Sequence, residues 1–354
     1  MPVIKTHITA MSPYVPPLEG RDPKTHALLD FNERTVPVSG AIKQALMDYI
    51  AQDRLQVYPS YGNIVPQLAD YAGVSAEQLM ITNGSDQGID LVFRAVAKSG
   101  CDAIIPGPSF AIYNQCARVE NLNIIEPKYN REAGYPLTEV LSAINSKTAI
   151  IVVANPNNPC GTRVDNDSLM QLSKAAPHAA LLVDECYFEY SGDTLVSQLN
   201  ELPNVFITRT FSKTWGLPSL RFGYLISSAD NIRALCNIRG PYDVNQLAIV
   251  AAKAALANID DNKVYVDEVM NNAKPQLENW LQKRGIEYWP SSANFLWVFP
   301  AEPEALNDYF ISHGILVRPK DYRGTMGLRV TIGTQAQVSR LIEVWEEDFQ
   351  VTNS

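Results

Sequence analysis

The sequence predicts an α/β protein with a mostly parallel central sheet in a large domain, joined to a smaller α+β domain. Short apolar runs alternate with helical patterns from about residue 79 to residue 210, which is typical of parallel strands covered by helices on both faces. Near Pro241 the pattern changes to two long helices followed by short strands. The chain of 354 residues is long enough for two domains.

The elements can be assigned in chain order. The first thirty or so residues are rich in proline and turn-forming residues, which indicates an extended arm. Two helices follow, at AIKQALMDYIAQ and IVPQLADYAG. Strands and helices then alternate through LMIT, DQGIDLVFRAVAK, DAIIP, a helix from about Ser109 to Val119, NIIEP, LTEVLSAI, TAIIVVA, NDSLMQLSKAA, AALLVDE and NVFITRT.

The last third of the chain has a different order. Helices are predicted at NQLAIVAAKAALA and VYVDEVMNNAKPQLENWLQKRG, and later at PEALNDYFISHG and QAQVSRLIEVWEEDF. Short strands are predicted at EYWP, NFLWVFP, GILVRP and LRVTIGT. We therefore expect an N-terminal arm over residues 1–35 that joins the small domain, a large domain over residues 36–240, and connecting helices with the small domain over residues 241–354.

Composition and charge exclude several classes of protein. The net charge of −9 argues against nucleic acid as the main partner. No apolar run is long enough to span a membrane, and the N-terminus has no apolar signal core. The five cysteines are scattered and form no Cys-x-x-Cys pair. These features predict a cytoplasmic enzyme with reduced thiols and no metal site.

Polar groups follow several of the predicted strands, where ligands of open parallel sheets bind. Each of these polar groups also has a structural explanation that requires no ligand. Asn-Pro pairs form turns, and Ser85 or Asp86 could simply cap a helix. Asp184 could pair with a surface cation, and Phe110 could belong to the core. The positions concerned are Asn83–Asp86, Gly107–Phe110, Asn155–Pro159, Asp184 with Tyr187, and Thr210 with Ser212 and Lys213.

Taken together, these groups match the functional groups of one ligand. Ser85 at a helix N-terminus, the hydroxyls of Thr210 and Ser212, and Arg221 suit a phosphate dianion. A lysine such as Lys213 forms a Schiff base with an aldehyde.

The remaining groups suit a planar ring. A buried carboxylate such as Asp184 can keep a pyridine nitrogen protonated. Asn158 and Tyr187 can hydrogen-bond a phenolate oxygen, and Phe110 can stack on a heterocycle. Phosphate, aldehyde, pyridine nitrogen and phenolate are the functional groups of pyridoxal 5′-phosphate (PLP).

Four motifs in order carry a family resemblance: NPNNPCGT, VDECYFEY, RTFSKTWGLPSLRFGY and GLRVTIGT. They resemble the class I/II aminotransferases, which have PLP fold type I, and the resemblance covers essentially the whole chain. Within that group the chain is most similar to the histidinol-phosphate aminotransferases. The segments that indicate this are SPYVPP, LDFNE, VYPSYG, TNGSDQGIDL, GPYDVNQLA and ILVRPKDY.

The resemblance implies a function and a set of residue roles. It implies amino transfer between glutamate or 2-oxoglutarate and a phosphorylated amino alcohol, histidinol phosphate, in histidine biosynthesis. The implied catalytic residues are the Schiff-base lysine Lys213, the pyridinium partner Asp184, and Tyr187. The implied cofactor contacts are Ser85, Asp86, Phe110, Asn158, Asp184, Tyr187, Thr210, Ser212, Lys213 and Arg221.

The resemblance also implies a homodimer and a substrate site. Tyr58 would reach the cofactor phosphate of the neighbouring subunit. Arg329 would bind the carboxylate of the amino donor or the phosphate of the substrate. The other implied substrate neighbours are Arg318, Tyr14, Tyr242 and Asn158.

The sequence departs from the family pattern at four places. NERT stands where the family usually has Asn-Glu-Asn-Pro, and Gln87 replaces a usual glutamate. Cys160 replaces a usual threonine, and Pro218-Ser219 replaces a usual Ala-Gly pair. None of these residues makes or breaks bonds in the implied reaction.

Three other interpretations remain open from the sequence. The chain could be an aminotransferase of another specificity, for example for aromatic substrates. It could be a PLP lyase such as a threonine-phosphate decarboxylase, which shares this scaffold. A Rossmann-type nucleotide-binding protein without PLP is disfavoured, because the sequence has no G-x-G-x-x-G or P-loop pattern.

Overall fold

The computed structural model describes the backbone of residues 3–352 and the side chains of residues 3–348. Its strands are β1 Ala27–Leu28, β2 Leu79–Asn83, β3 Asp102–Ile104, β4 Asn123–Ile125, β5 Thr148–Ala154, β6 Ala180–Asp184, β7 Val205–Thr210, β8 Phe222–Ser227, β9 Glu287–Trp289, β10 Phe295–Phe299, β11 Ile315–Leu316, β12 Arg318–Tyr322 and β13 Thr325–Thr331. Within the described residues no helix is both long and apolar enough to cross a membrane.

The α-helices are α1 Thr6–Thr9, α2 Gly40–Ile50, α3 Ile64–Ala72, α4 Gly84–Val96, α5 Ala111–Val119, α6 Leu137–Ala143, α7 Asn166–Ala175, α8 Phe188–Ser191, α9 Ala229–Cys236, α10 Gln246–Ala257, α11 Ile259–Asp267, α12 Lys274–Arg284, α13 Pro303–Ser312 and α14 Gln335–Thr352. Short 3₁₀ helices span Ala76–Gln78, Val196–Glu201 and Pro218–Leu220. A π-helical segment, Glu268–Ala273, joins α11 to α12 next to Pro275, which has no N–H to donate to the preceding turn.

Seven strands form the central sheet in the order β2-β8-β7-β6-β5-β3-β4. Strands β3 to β7 are mutually parallel, whereas β8 is antiparallel to both of its neighbours. The mostly parallel sheet predicted from the sequence is therefore confirmed. Strand β8 has no counterpart among the predicted strands, because no helical pattern separates it from β7.

Helices cover both faces of the central sheet. Every residue of β6, β7 and β8 is buried, as expected for strands that pack on both sides. One face packs against α4, α5 and α9, and the other against α2, α3, α7 and α10. The carboxyl ends of β5, β6 and β7 consequently meet at one edge of the sheet.

The C-terminal part forms an antiparallel sheet in the order β12-β13-β10-β9. Helices α12, α13 and α14 pack against it. Strand β1 from the N-terminal arm pairs in parallel with β11, Ala27 opposite Ile315. The division into residues 1–35, 36–240 and 241–354 remains a prediction, and by its packing α10 belongs to the layer of the central sheet.

Candidate active site

A cavity of about 580 Å³ lies at the carboxyl ends of β5, β6 and β7, beside the N-terminus of α4. All the predicted cofactor contacts except Tyr58 line it, as does the predicted catalytic group of Lys213, Asp184 and Tyr187. Its further lining residues are Tyr113, Ala154, Pro156 and Cys186. The strand-end residues chosen from the sequence are thus brought together in space.

One end of the cavity carries donors for an anion. The chain turns at Arg221, which adopts the left-handed conformation with φ +54°. Arg221 donates to the Ser212 hydroxyl over 3.2 Å and to Asp86 over 3.0 Å. The Thr210 hydroxyl accepts from the Ser212 N–H over 3.1 Å. Since both hydroxyls act as acceptors in these bonds, their hydrogens can be donated to an anion.

Two glycines allow this end of the cavity to be compact. Gly84 has φ +71°, and a Cβ atom there would overlap the Arg221 guanidinium. A Cβ atom at Gly223 would lie 2.6 Å from the Ser85 nitrogen. The N-terminus of α4 therefore approaches both β8 and Arg221 closely, and its N–H groups and dipole favour a phosphate there.

The cavity also holds a buried carboxylate, Asp184, at the end of β6 and 3% exposed. It accepts hydrogen bonds from Tyr113 over 2.5 Å, from Thr208 over 2.9 Å and from Cys186 over 2.8 Å. Burial raises the pKa of Asp184 above its usual value, although these three hydrogen bonds oppose the shift. Because all three donors are neutral groups, a cationic ring nitrogen is the partner that would best stabilise the ionised form.

Tyr113 is a residue of the cavity that the sequence analysis missed. It lies three positions after Phe110, and the two rings pack edge to face with centroids 5.9 Å apart. Residues three positions apart lie on the same face of a helix, so the spacing of Phe110 and Tyr113 could have indicated that Tyr113 also faces the cavity. Cys186 was also missed, and its thiol lies 3.3 Å from the Ser85 hydroxyl.

A segment of the N-terminal arm crosses the cavity beside Lys213. The Lys213 ammonium donates to the Phe31 carbonyl over 2.9 Å. Asn32 is fully buried with φ +56°, and its amide donates to the Tyr187 hydroxyl over 2.9 Å. Hydrogen bonds between Asn32 and the Thr331 side chain hold this conformation. Asn32 was missed as an individual residue, although it belongs to the LDFNE segment.

Arg329, on β13 of the small sheet, contacts residues at the cofactor cavity. It donates to the Asn158 side chain over 2.6 Å and to the Asp30 carbonyl over 2.5 Å. Burial lowers the pKa of Arg329, and Arg318, opposite it on β12, adds to this effect. Tyr14 is half-exposed and close enough to Arg329 to oppose the pKa shift.

Tyr58 and Tyr242 lie away from the cavity of their own protomer. They are 75% and 56% exposed, and their rings stack with centroids 4.4 Å apart. Both line a surface groove together with Leu55 and Val57. The predicted contacts of these two tyrosines with cofactor and substrate are therefore not made within one chain.

The residues that depart from the family pattern make definite contacts. Arg34 donates to Asp261 over 2.9 Å and to the Thr214 carbonyl over 3.2 Å. Gln87 donates to Asp243 over 2.5 Å. Cys160 is buried, and its sulfur accepts from the Asn157 amide over 2.8 Å.

The fit of the cavity to PLP can be judged from the donors and acceptors that line it. The phosphate donors at α4 and Arg221 and the buried carboxylate of Asp184 line the same cavity. The amine of Lys213, the hydrogen-bonding groups of Asn158 and Tyr187, and the ring of Phe110 line it as well. Each functional group of PLP has a matching residue, so the site fits this cofactor.

Comparison with known proteins gives the same family. The sequence model described as "Aminotransferase class I and II" matches residues 27–344. A histidinol-phosphate aminotransferase of Geobacillus sp. (strain WCH70) is 32% identical, and the match covers 96% of each chain.

Solved structures share the fold. Histidinol-phosphate aminotransferase of Sinorhizobium meliloti, in complex with pyridoxal-5′-phosphate, aligns with a TM-score of 0.86 and 23% identity over 96% of each chain. L-threonine-O-3-phosphate decarboxylase of Porphyromonas gingivalis aligns with a TM-score of 0.78 and 22% identity over 92% of this chain and 99% of that chain. Since the family match covers most of the chain and the cavity fits the cofactor, the protein belongs to the class I and II aminotransferases and is a PLP-dependent aminotransferase of fold type I.

Proposed function

We propose that this aminotransferase exchanges an amino group between glutamate or 2-oxoglutarate and a phosphorylated amino alcohol, histidinol phosphate, in histidine biosynthesis. The observation that carries the proposal is the pair of arginines, Arg318 and Arg329, that face each other across β12 and β13 beside the cofactor cavity. Guanidinium groups bind both carboxylates and phosphates. The 32% identity to a histidinol-phosphate aminotransferase over 96% of the chain supports the same substrate.

Lys213 is the proposed proton carrier. Bound PLP supplies an aldehyde that links to the lysine amine and a ring that withdraws electrons from the carbon bonded to the amino group. Once its amine is free, Lys213 takes a proton from the α-carbon of the donor. It returns a proton to the carbon on the other side of the nitrogen that is transferred. Its hydrogen bond to the Phe31 carbonyl keeps the amine at the cavity.

The other residues hold the reacting parts in place. Asp184 keeps the ring nitrogen protonated, and its three neutral donors orient the carboxylate. Tyr187, itself held by Asn32, donates toward the phenolate oxygen. Ser212 and Arg221 would hold the cofactor phosphate by contacts that do not involve Lys213.

A phosphate-recognising lyase is the second candidate. The likeness to a threonine-phosphate decarboxylase concerns the fold, which both activities share. A specificity for aromatic amino acids is a further variant of the aminotransferase. Release of carbon dioxide from threonine phosphate without consumption of a keto acid would favour the lyase.

One half-reaction assay separates these candidates. Cofactor-loaded protein is mixed with histidinol phosphate, threonine phosphate, phenylalanine or glutamate, and the change in visible absorbance is followed. The proposal expects fast reactions with glutamate and histidinol phosphate only. Reaction with glutamate but not with histidinol phosphate would leave the aminotransferase and remove the proposed substrate. Borohydride reduction followed by peptide mapping should place the cofactor on Lys213, and a label on another lysine would refute that role.

We also propose a homodimer in which Tyr58 reaches the partner's cofactor phosphate. The exposure of Tyr58 and its stacking on Tyr242 support this, since both rings are free to enter a neighbouring protomer. The exposed apolar side chains of Met47, Leu55 and Val57 lie in the same part of the chain. The five unpaired cysteines support the proposed cytoplasmic location.

A further inference from the structure

A third basic residue, Lys320, lies beside the two arginines of the proposed substrate site. Arg318 and Lys320 are two residues apart on β12, so their side chains leave the same face of the strand. Arg318 is paired with Arg329 on β13, and Lys320 is paired with Gly327, where a Cβ atom would lie 2.7 Å from the Trp297 indole nitrogen. Three cationic side chains are thus grouped on one face of the small sheet.

Two of the acids near this group, Asp30 and Glu126, are paired with other residues. Asp30 forms an ion pair with Arg21 over 2.9 Å. Glu126 accepts from the Tyr322 hydroxyl over 2.7 Å and lies 3.5 Å from Arg323. Asp321 follows Lys320 directly and leaves the opposite face of β12, but it lines the same cavity as Lys320.

Among the described residues, 3–348, the Lys320 ammonium makes no hydrogen bond or ion pair. Burial lowers the pKa of Lys320 to about 8, and the charges of Arg329 and Arg318 contribute further. A half-buried ammonium beside two guanidinium groups is unfavourable unless an anion joins them.

A cavity of about 700 Å³ lies at Lys320, between the small sheet and the segment that precedes α5. Ser109 lines it directly before Phe110, and Pro159 lines it directly after Asn158, so it adjoins the cofactor cavity. Trp297 also lines it; this residue is 1% exposed and its indole N–H has no partner among the described residues. The Lys320 ammonium and the Trp297 indole N–H are thus available as donors in a cavity that Glu126 and Asp321 also line.

We propose that Lys320 is a specificity-determining residue that binds the phosphate group of the substrate together with Arg318. The inference rests on the proposed function and names the group that the site recognises, a phosphate monoester as opposed to a carboxylate. A phosphate monoester carries about −1.5 to −2 charges at neutral pH, whereas a carboxylate carries one. The third cation therefore favours the phosphorylated substrate over glutamate.

The first test compares substrates in Lys320→Met, Lys320→Arg and the control Lys283→Met, which alters an exposed lysine on α12. The KM for histidinol phosphate divided by the KM for glutamate should rise about tenfold in Lys320→Met, with a smaller effect on kcat. Lys320→Arg should keep this ratio within about threefold of wild type, and Lys283→Met should leave it unchanged. Equal changes in both KM values, or none, would overturn the proposal.

The second test does not depend on turnover of histidinol phosphate. Inorganic phosphate is used as a competitive inhibitor of the glutamate half-reaction in cofactor-loaded protein, in which the cofactor's own phosphate fills its site. Phosphate should inhibit wild type at about tenfold lower concentration than Lys320→Met, and should raise the Tm of wild type more. If phosphate acts equally on both proteins, Lys320 is not part of an anion site, whichever substrate the enzyme uses.

Discussion

Tyr113 donates its hydroxyl hydrogen to Asp184 across 2.5 Å, and both side chains are buried at the edge of the cofactor cavity. The tyrosine lies on α5 and the aspartate at the end of β6, so the bond joins a covering helix to the central sheet. It orients the carboxylate toward the cavity, where the ring nitrogen of the cofactor is proposed to bind. Thr208 and Cys186 complete the set of donors.

Removal of the Tyr113 hydroxyl should therefore weaken the reaction without unfolding the protein. We expect Tyr113→Phe to lower kcat/KM about tenfold, because one charge-assisted hydrogen bond to Asp184 is lost. The absorption spectrum of the bound cofactor should titrate at a different pH from wild type. Tyr135→Phe is the matched control, since the Tyr135 hydroxyl is buried without a hydrogen-bond partner. If both variants behave alike, Tyr113 has only a packing role.

In the cofactor-free protein, the ionised carboxylate of Asp184 should lower the free energy of unfolding. Burial raises its pKa in the folded state, so its contribution to stability is present below the unfolded pKa and is lost as the pH rises through the folded pKa. Relative to wild type, the Tm of cofactor-free Asp184→Asn should therefore increase as the pH rises above about 4, the usual pKa of an unfolded aspartate. With cofactor, the same variant should lose turnover by orders of magnitude. A Tm difference that does not change with pH, or normal turnover, would contradict this account.

Gly84 should be essential for phosphate binding because of the space it leaves. In Gly84→Ala the new methyl group would overlap the Arg221 guanidinium, so the cofactor affinity should fall by at least about tenfold. Gly73→Ala provides the control: Gly73 has a similar φ of +73°, but no atom lies within 4 Å of its Cβ position. Both variants should lose about 1 kcal/mol of stability from backbone strain. Equal cofactor affinities, measured by titration with PLP, would show that the contact with Arg221 is unimportant.

Arg329 should be sensitive even to a conservative change. Its two terminal nitrogens donate to different acceptors, Asn158 and the Asp30 carbonyl, and lysine cannot reproduce this planar geometry. Arg329→Lys should slow both half-reactions about 30-fold, corresponding to about 2 kcal/mol. Single-turnover kinetics with glutamate and histidinol phosphate measures this, with the exposed Arg340→Lys as control. Unchanged rates for Arg329→Lys would mean that the substrate binds elsewhere.

The proposed dimer can be tested by complementation. If Tyr58 serves the partner's site, a hybrid of Tyr58→Phe and Lys213→Ala subunits has one site with both lesions and one with neither. Mixing the two inactive or weakened proteins under conditions of subunit exchange should restore up to half of the wild-type activity per hybrid. Activity that stays at the sum of the two separate variants, or full activity in a monomer, would exclude the shared site.

The sequence by itself determined the class of fold and most of the cavity. Alternation of apolar runs and helical patterns predicted the parallel strands, because both patterns are local and repeat within one element. The predicted residues at the ends of β5, β6 and β7 line one cavity, since parallel strands necessarily end at one edge of the sheet. The order of the motifs then indicated the family, which the match over residues 27–344 confirmed.

Only the tertiary structure decided which distant side chains touch. Asn32 meets Thr331 because the N-terminal arm is tied to the small sheet through β1 and β11. Lys320 lies beside Arg329 because β12 and β13 pair in one particular register. Such contacts depend on how separate elements pack, and no periodicity within either segment carries that information. Strand β8 was missed for another reason, because no helical pattern separates it from β7.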